Sequence, residues 1–287
     1  MTLPAMTLPA MTLPAMTLPA MTLKVCVMFT LDGRPLETAW WGPSPGEAPT
    51  FVLLHEGLGS VGLWRDFPAS LQAATGCGVF AYSRFGYGRS ASVPLPRPLT
   101  YMHDEARTVL GRMLDAAGIR RCILVGHSDG GSIAAIYAGE HDDPRIAGLV
   151  TLAAHFIVED ICVTSIAGMT LAYETGDLRA RLARHHDDVD AAFRGWSGAW
   201  LDPAFRAWDI TRQVEGIRVP TLLLQGADDP YGTVEQLRVA ERHARCKLEV
   251  ALIPAAKHSP HVEAPQATCE AVAAFARRIL QPQSVAA

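Results

Sequence analysis

The chain has 287 residues, 49% hydrophobic and 19% charged, enough to bury a large core in one enzyme-sized unit. Its 25 Lys and Arg against 29 Asp and Glu leave a net charge of −4 with no long run of one sign, which argues against a nucleic-acid partner. No stretch approaches the roughly 20 apolar residues of a membrane span, and six scattered cysteines (Cys26, Cys77, Cys122, Cys162, Cys246, Cys269) without a C-x-x-C pair point to reduced, buried thiols and the cytoplasm.

At the N-terminus MTLPA repeats four times and restarts at Met21. Proline at every fifth position excludes a helix, no basic segment leads into an apolar one, and the period is too short for a solenoid. Residues 1–22 are expected to be a disordered leader. From Lys24, KVCVMFT and RPLETAWW flank Asp32-Gly33, the signature of an edge hairpin. Short apolar runs then alternate with helical stretches: FVLLH, a helix near Trp64 to Thr75, GVFAY, a helix near Tyr101 to Ala117, CILVG, a helix from about Gly131 to Gly139, and IAGLVTLAA. After a gap come TLLLQG, LEVALIP and a helix from Pro265 to Leu280. Apolar runs that do not alternate are strands buried on both faces, and the helices between them are the crossovers that parallel strands require. The fold class is α/β with a mostly parallel sheet.

The gap, residues 155–213, holds helical patches and Trp196, Trp200 and Trp208 but no strand-like run. It is longer than a crossover needs and is expected to be a helical cap inserted into a core of residues 23–154 and 214–287.

VGHSDGGS places Ser128 between Gly126 and Gly130, after one strand and before a helix. The G-x-S-x-G pattern alone is weak: Gly42-Pro43-Ser44-Pro45-Gly46 also fits, yet lies in a linker where Pro45 has no N–H to offer an oxyanion. Context separates the two. Ser128 has the strand, the turn glycines and the helix that a nucleophile elbow needs, and Asp129 can present its backbone N–H at the positive end of that helix. A serine nucleophile needs a base and an orienting carboxylate, which in this architecture follow on later strand ends. TLLLQG runs into Asp228-Asp229-Pro230, and LEVALIP runs into Lys257-His258-Ser259-Pro260-His261, so an acid and a histidine fall in the required order.

LVGHSDGG, LLLQGADDP, IPAAKHSPHVEAP, LLHEGLGS and YSRFGYGRS together resemble the α/β-hydrolase superfamily over residues 24–281. The resemblance implies an eight-stranded, mostly parallel sheet with flanking helices and a helical lid. It implies Asp229 as the acid, with Asp228 the rival, and His258 as the base, with His261 in a packing role. It also implies a second oxyanion donor in the backbone N–H of Gly57, in the loop His55-Glu56-Gly57-Leu58-Gly59-Ser60. Glu56 departs from the family's usual glycine, and Lys257 and Ser83 replace its usual glycine and aspartate. Two acids, Glu56 and Asp129, would therefore lie near the substrate. The bland expectation is that Glu56 pairs with Arg65 or Arg84 and Asp129 bonds neighbouring backbone; the sharper one is that either receives a substrate ammonium. His155, Phe156 and Trp196 are candidate lining residues of an apolar pocket.

The sequence thus reads as a serine hydrolase cleaving a small carboxylic ester or lactone through an acyl-enzyme. Carbon–carbon hydrolysis of a vinylogous diketone, enol-lactone opening, and a non-catalytic receptor on the same scaffold are the alternatives, because Ser, Asp and His do not separate them. No metal or organic cofactor is expected, since the one dense ligand-like cluster, His185-His186-Asp187-Asp188, does not share a helix face. The expected partner is a small-molecule substrate, with neither nucleic acid nor membrane; a homodimer stays open.

Overall fold

A computed structural model describes residues 24–280, so the expected leader lies outside the described residues. Strands β1 (Lys24–Leu31) and β2 (Arg34–Trp41) form the hairpin, with Leu31 opposite Arg34 and both Asp32 and Gly33 at positive φ, as a two-residue turn demands. Strands β3 (Thr50–Leu54), β4 (Gly78–Tyr82), β5 (Cys122–His127), β6 (Ile146–Leu152), β7 (Thr221–Gly226) and β8 (Leu248–Ile253) complete one eight-stranded sheet, in the order β1-β2-β4-β3-β5-β6-β7-β8. Strand β2 pairs antiparallel with both β1 and β4, and every other pair of neighbours is parallel.

Strands β3, β4, β5 and β7 are buried along their whole length because both of their faces are covered. Val52, Leu54, Phe80, Tyr82 and Leu124 point into one core layer, and Phe51, Leu53, Val79, Ala81, Ile123 and Val125 into the other, the two-residue period of a strand. The second layer is roofed by α1 (Phe67–Thr75) and α11 (Pro265–Leu280). Into the first pack α2 (Tyr101–Asp104), α3 (Gly111–Ala116) and α4 (Asp129–Glu140). The expected helix near Tyr101 to Ala117 is thus divided, with a π-helical stretch at Glu105–Leu110 between α2 and α3.

Between β6 and β7 the chain forms α5 (Asp160–Thr175), α6 (Leu178–Leu182), α7 (Val189–Leu201), a 3-10 turn at Pro203–Ala207 and α8 (Thr211–Gly216). Helix α8 runs across residue 213, the expected end of the cap, because it packs on α4: a Cβ on Gly139 would overlap the backbone of Gln213. Helix α9 (Val234–His243), which the apolar runs do not announce, connects β7 to β8, and α10 (Pro260–Glu263) leads into α11. All six cysteines are free, but only four are buried: Cys26 is exposed, since β1 is the outermost strand, and Cys246 is half-buried. Among the described residues no helix is long and apolar enough to cross a membrane.

Candidate active site

Ser128 sits alone between the last residue of β5 and the first of α4, at φ 51° and ψ −120°. A non-glycine residue held there is a strained turn of the kind that lifts a side chain clear of the sheet. The flanking glycines are required by space: a Cβ on Gly126 would overlap the carbonyl of Gly130, and one on Gly130 the carbonyl of Leu54.

The loops after β7 and β8 bring Asp229 and His258 to the serine. His258 Nδ1 lies 2.9 and 3.0 Å from the two carboxylate oxygens of Asp229. A carboxylate only accepts, so Nδ1 carries the proton, and Nε2 is left to accept from Ser128 Oγ at 2.9 Å. Asp229 also accepts from the Tyr231 backbone N–H at 2.8 Å and the Gln225 amide at 2.6 Å. Burial pushes its carboxyl up, but the bonds from His258 and the Tyr231 N–H hold it below the ordinary value. The neighbouring acid, Asp228, is exposed. His261 is buried against Trp64, Phe67 and His127, and burial pushes it down to about 3, so it stays neutral.

Among the described residues, neither the N–H of Gly57 nor that of Asp129 donates to another group of the chain, and both residues border the same cavity as Ser128. The loop carrying Gly57 is braced from behind by buried Arg84, which donates to the carbonyls of His55 and, at 3.0 Å, Glu56. The two acids find partners other than those expected. Glu56 turns its carboxylate to His127 at 3.3 Å, because Arg84 is already spent on carbonyls; His127 overrides the upward push of burial and holds Glu56 well below the usual carboxylate range. Asp129 bonds side chains rather than backbone, accepting from the Tyr101 hydroxyl and from Trp200 Nε1 at 3.2 Å. Burial raises the Asp129 carboxyl against the opposing pull of Arg84 and these two donors.

Trp200 lies on α7, so this bond ties that helix to the residue after the serine. Trp200→Phe removes the donor from a buried carboxylate and is expected to cost about 1–3 kcal/mol; urea unfolding of the two proteins measures it.

A cavity of about 310 Å³ opens over Ser128. Ile166 and Met169 on α5 and Trp196 and Trp200 on α7 form its apolar wall, with Tyr231 and His155 near the base. Trp196 and His155 both line the cavity, and burial drives His155 down to about 3. Phe156 does not line the cavity. Its backbone N–H donates to Gln236 Oε1 and its carbonyl accepts from Ile210 N–H, which turns the ring into the core. Tyr231, whose ring lies 4.6 Å from His258, and Tyr101 are not signalled as site residues by the sequence motifs; the Asp-Pro-Tyr run beside the acid is the only local hint of the first.

In the His185-His186-Asp187-Asp188 run, His186 accepts from Gly88 N–H and bonds the Leu58 carbonyl, while Asp188 caps α7. Among the described residues, no group of three His, Cys, Asp or Glu could hold a metal ion.

Residues 51–271 match the model of a family described as "Alpha/beta hydrolase family". The "Putative carbamate hydrolase RutD" of Variovorax paradoxus is 33% identical over 68% of this chain and 79% of its own length. The "Bifunctional esterase/perhydrolase DCH" of Acinetobacter calcoaceticus is 26% identical over 70% of this chain and 80% of its own. The solved enol-lactonase from Burkholderia xenovorans superposes with a TM-score of 0.69 at 22% identity, over 88% of this chain and all of that one (100%), a likeness of fold.

Proposed function

The chain belongs to the alpha/beta hydrolase family, and from that membership we propose that it is a serine hydrolase cleaving a small carboxylic ester or lactone through an acyl-enzyme. The observation that carries the reading is the 2.9 Å contact between Ser128 Oγ and an Nε2 left free to take its proton. His258 removes that proton as Oγ attacks the carbonyl carbon, and Asp229 stabilises the imidazolium that results. The N–H groups of Gly57 and Asp129 hold the tetrahedral oxyanion, aided by the positive end of α4. His258 returns the proton to the leaving oxygen. It then activates a water that releases the acid and frees Ser128.

The cavity limits the substrate to a small molecule and gives its acyl side an apolar wall; residues 155–213 act as the lid. Relatives named for carbamate and ester cleavage accord with carboxyl-type substrates. Free cysteines accord with work in the cytoplasm. Acid quench of the enzyme during turnover of p-nitrophenyl butyrate is the test. One butyryl group should appear by mass on the peptide containing Ser128. Turnover with the acyl group on another residue, or no turnover of esters and lactones by the folded protein, would sink the reading.

A further inference from the structure

His127 ends β5, and its buried ring lies between two groups that can only accept hydrogen bonds. Nδ1 stands 3.3 Å from Glu56 Oε2, and Nε2 stands 2.7 Å from the main-chain carbonyl of His258. A ring bonded to an acceptor at both nitrogens carries a proton on each and is therefore an imidazolium. The other titratable groups facing it leave Glu56 as its counter-charge. His261 on α10, centred 4.8 Å away, is neutral; the His258 ring is centred 5.2 Å away; Asp229 lies beyond, bonded to His258. Burial opposes the second proton, but the bond and charge of Glu56 raise His127 above its ordinary value.

We infer that Glu56 keeps His127 doubly protonated and that this cation pins the main chain of His258, making Glu56 and His127 positioning residues that set the alkaline limit of activity. The inference rests on His258 being the general base. When His127 loses a proton, one nitrogen turns a lone pair toward an acceptor, so either the carboxylate or the His258 carbonyl is released. A group with a raised pKa holds its bond below that pKa and loses it above, so the loss falls on the alkaline side. The base loop, Lys257–Ser259, then loosens. The same pairing gives a physical role to the acid that stands in place of a loop glycine.

Glu56→Gln separates charge from shape. The amide donates to an unprotonated Nδ1 while Nε2–H still reaches the His258 carbonyl, so both bonds survive with a neutral ring. Histidine labelled with nitrogen-15 in wild type and E56Q reads the protonation of His127 by NMR without turnover. kcat/KM for p-nitrophenyl butyrate against pH reads the consequence. His127 should titrate above about 6.5 in wild type and below it in E56Q. Wild-type kcat/KM should step down to a lower plateau across the His127 titration, and E56Q should stay flat across that range. A wild-type His127 with one bare nitrogen below about pH 6.5, or alkaline limbs that coincide in the two proteins, would overturn the inference. Failure of the hydrolase reading shows separately, as absence of turnover with the NMR titration intact.

Discussion

Ser128→Ala is expected to lower kcat toward p-nitrophenyl butyrate by at least about 10⁴-fold, the scale on which loss of a triad nucleophile acts. The change deletes one oxygen from a side chain bonded to His258, and leaves the backbone at φ 51° for alanine to adopt as serine does. Thermal unfolding should therefore move by no more than a degree or two. The residual rate should exceed the rate in water, because the two N–H donors and the cavity remain. Activity within about tenfold of wild type would remove Ser128 from the chemistry, since removal of a triad nucleophile leaves far less than that.

Gly130→Ala should do comparable damage by a different route. The added methyl would meet the carbonyl oxygens of Leu54 and His55, which belong to β3 and to the loop bearing Gly57. Neither can yield as a flexible side chain would. The elbow must move away from β3, at a cost of about 3 kcal/mol or more, as for other overpacked backbone contacts. Moving it also separates Ser128 from His258 and Asp129 from Gly57, so soluble variant protein should have lost most of its activity. Equilibrium unfolding and the ester assay on one preparation measure both effects, and wild-type values in both would show that the contact relaxes.

The sheet is legible in the sequence because its strands announce themselves twice, as apolar runs without alternation and through the loops they enter. FVLLH, CILVG and TLLLQG each lead into a residue of the site: Glu56 and Gly57, Ser128, and Asp229. Short-range patterns carry that information. The sequence is silent on the company kept by the two acids, because Asp129 meets Tyr101 from 28 residues away and Trp200 from 71, and Glu56 meets His127 from 71. No periodicity links positions so far apart. Phe156 departs from its expected place for the same reason: whether a ring turns into a cavity or away from it depends on Gln236, which is 80 residues on. Cys26 shows the opposite limit: the hairpin reads as an edge, yet the apolar run that marks its strand does not mark which of its side chains are covered.

The two walls of the cavity differ in what they are fastened to. On α7, Trp200 donates to Asp129, and the indole of Trp196 lies where any side chain on Gly57 would have to go. Both proposed donor residues thus lean on one helix. Ile166 and Met169 on α5 face the same space through apolar side chains, which have no hydrogen bond to give Ser128, Asp229 or His258. Changes at Ile166 and Met169 would therefore be the more modular ones, so long as Ser165, which donates to the Pro230 carbonyl beside Asp229, is kept. Residue libraries at Ile166 and Met169 should alter which acyl groups fit while the reaction rate for accepted ones persists, whereas diversity on α7 should reshape the pocket and detune the reaction together. An evolving lineage, or an engineer, would find new substrates by drifting along α5.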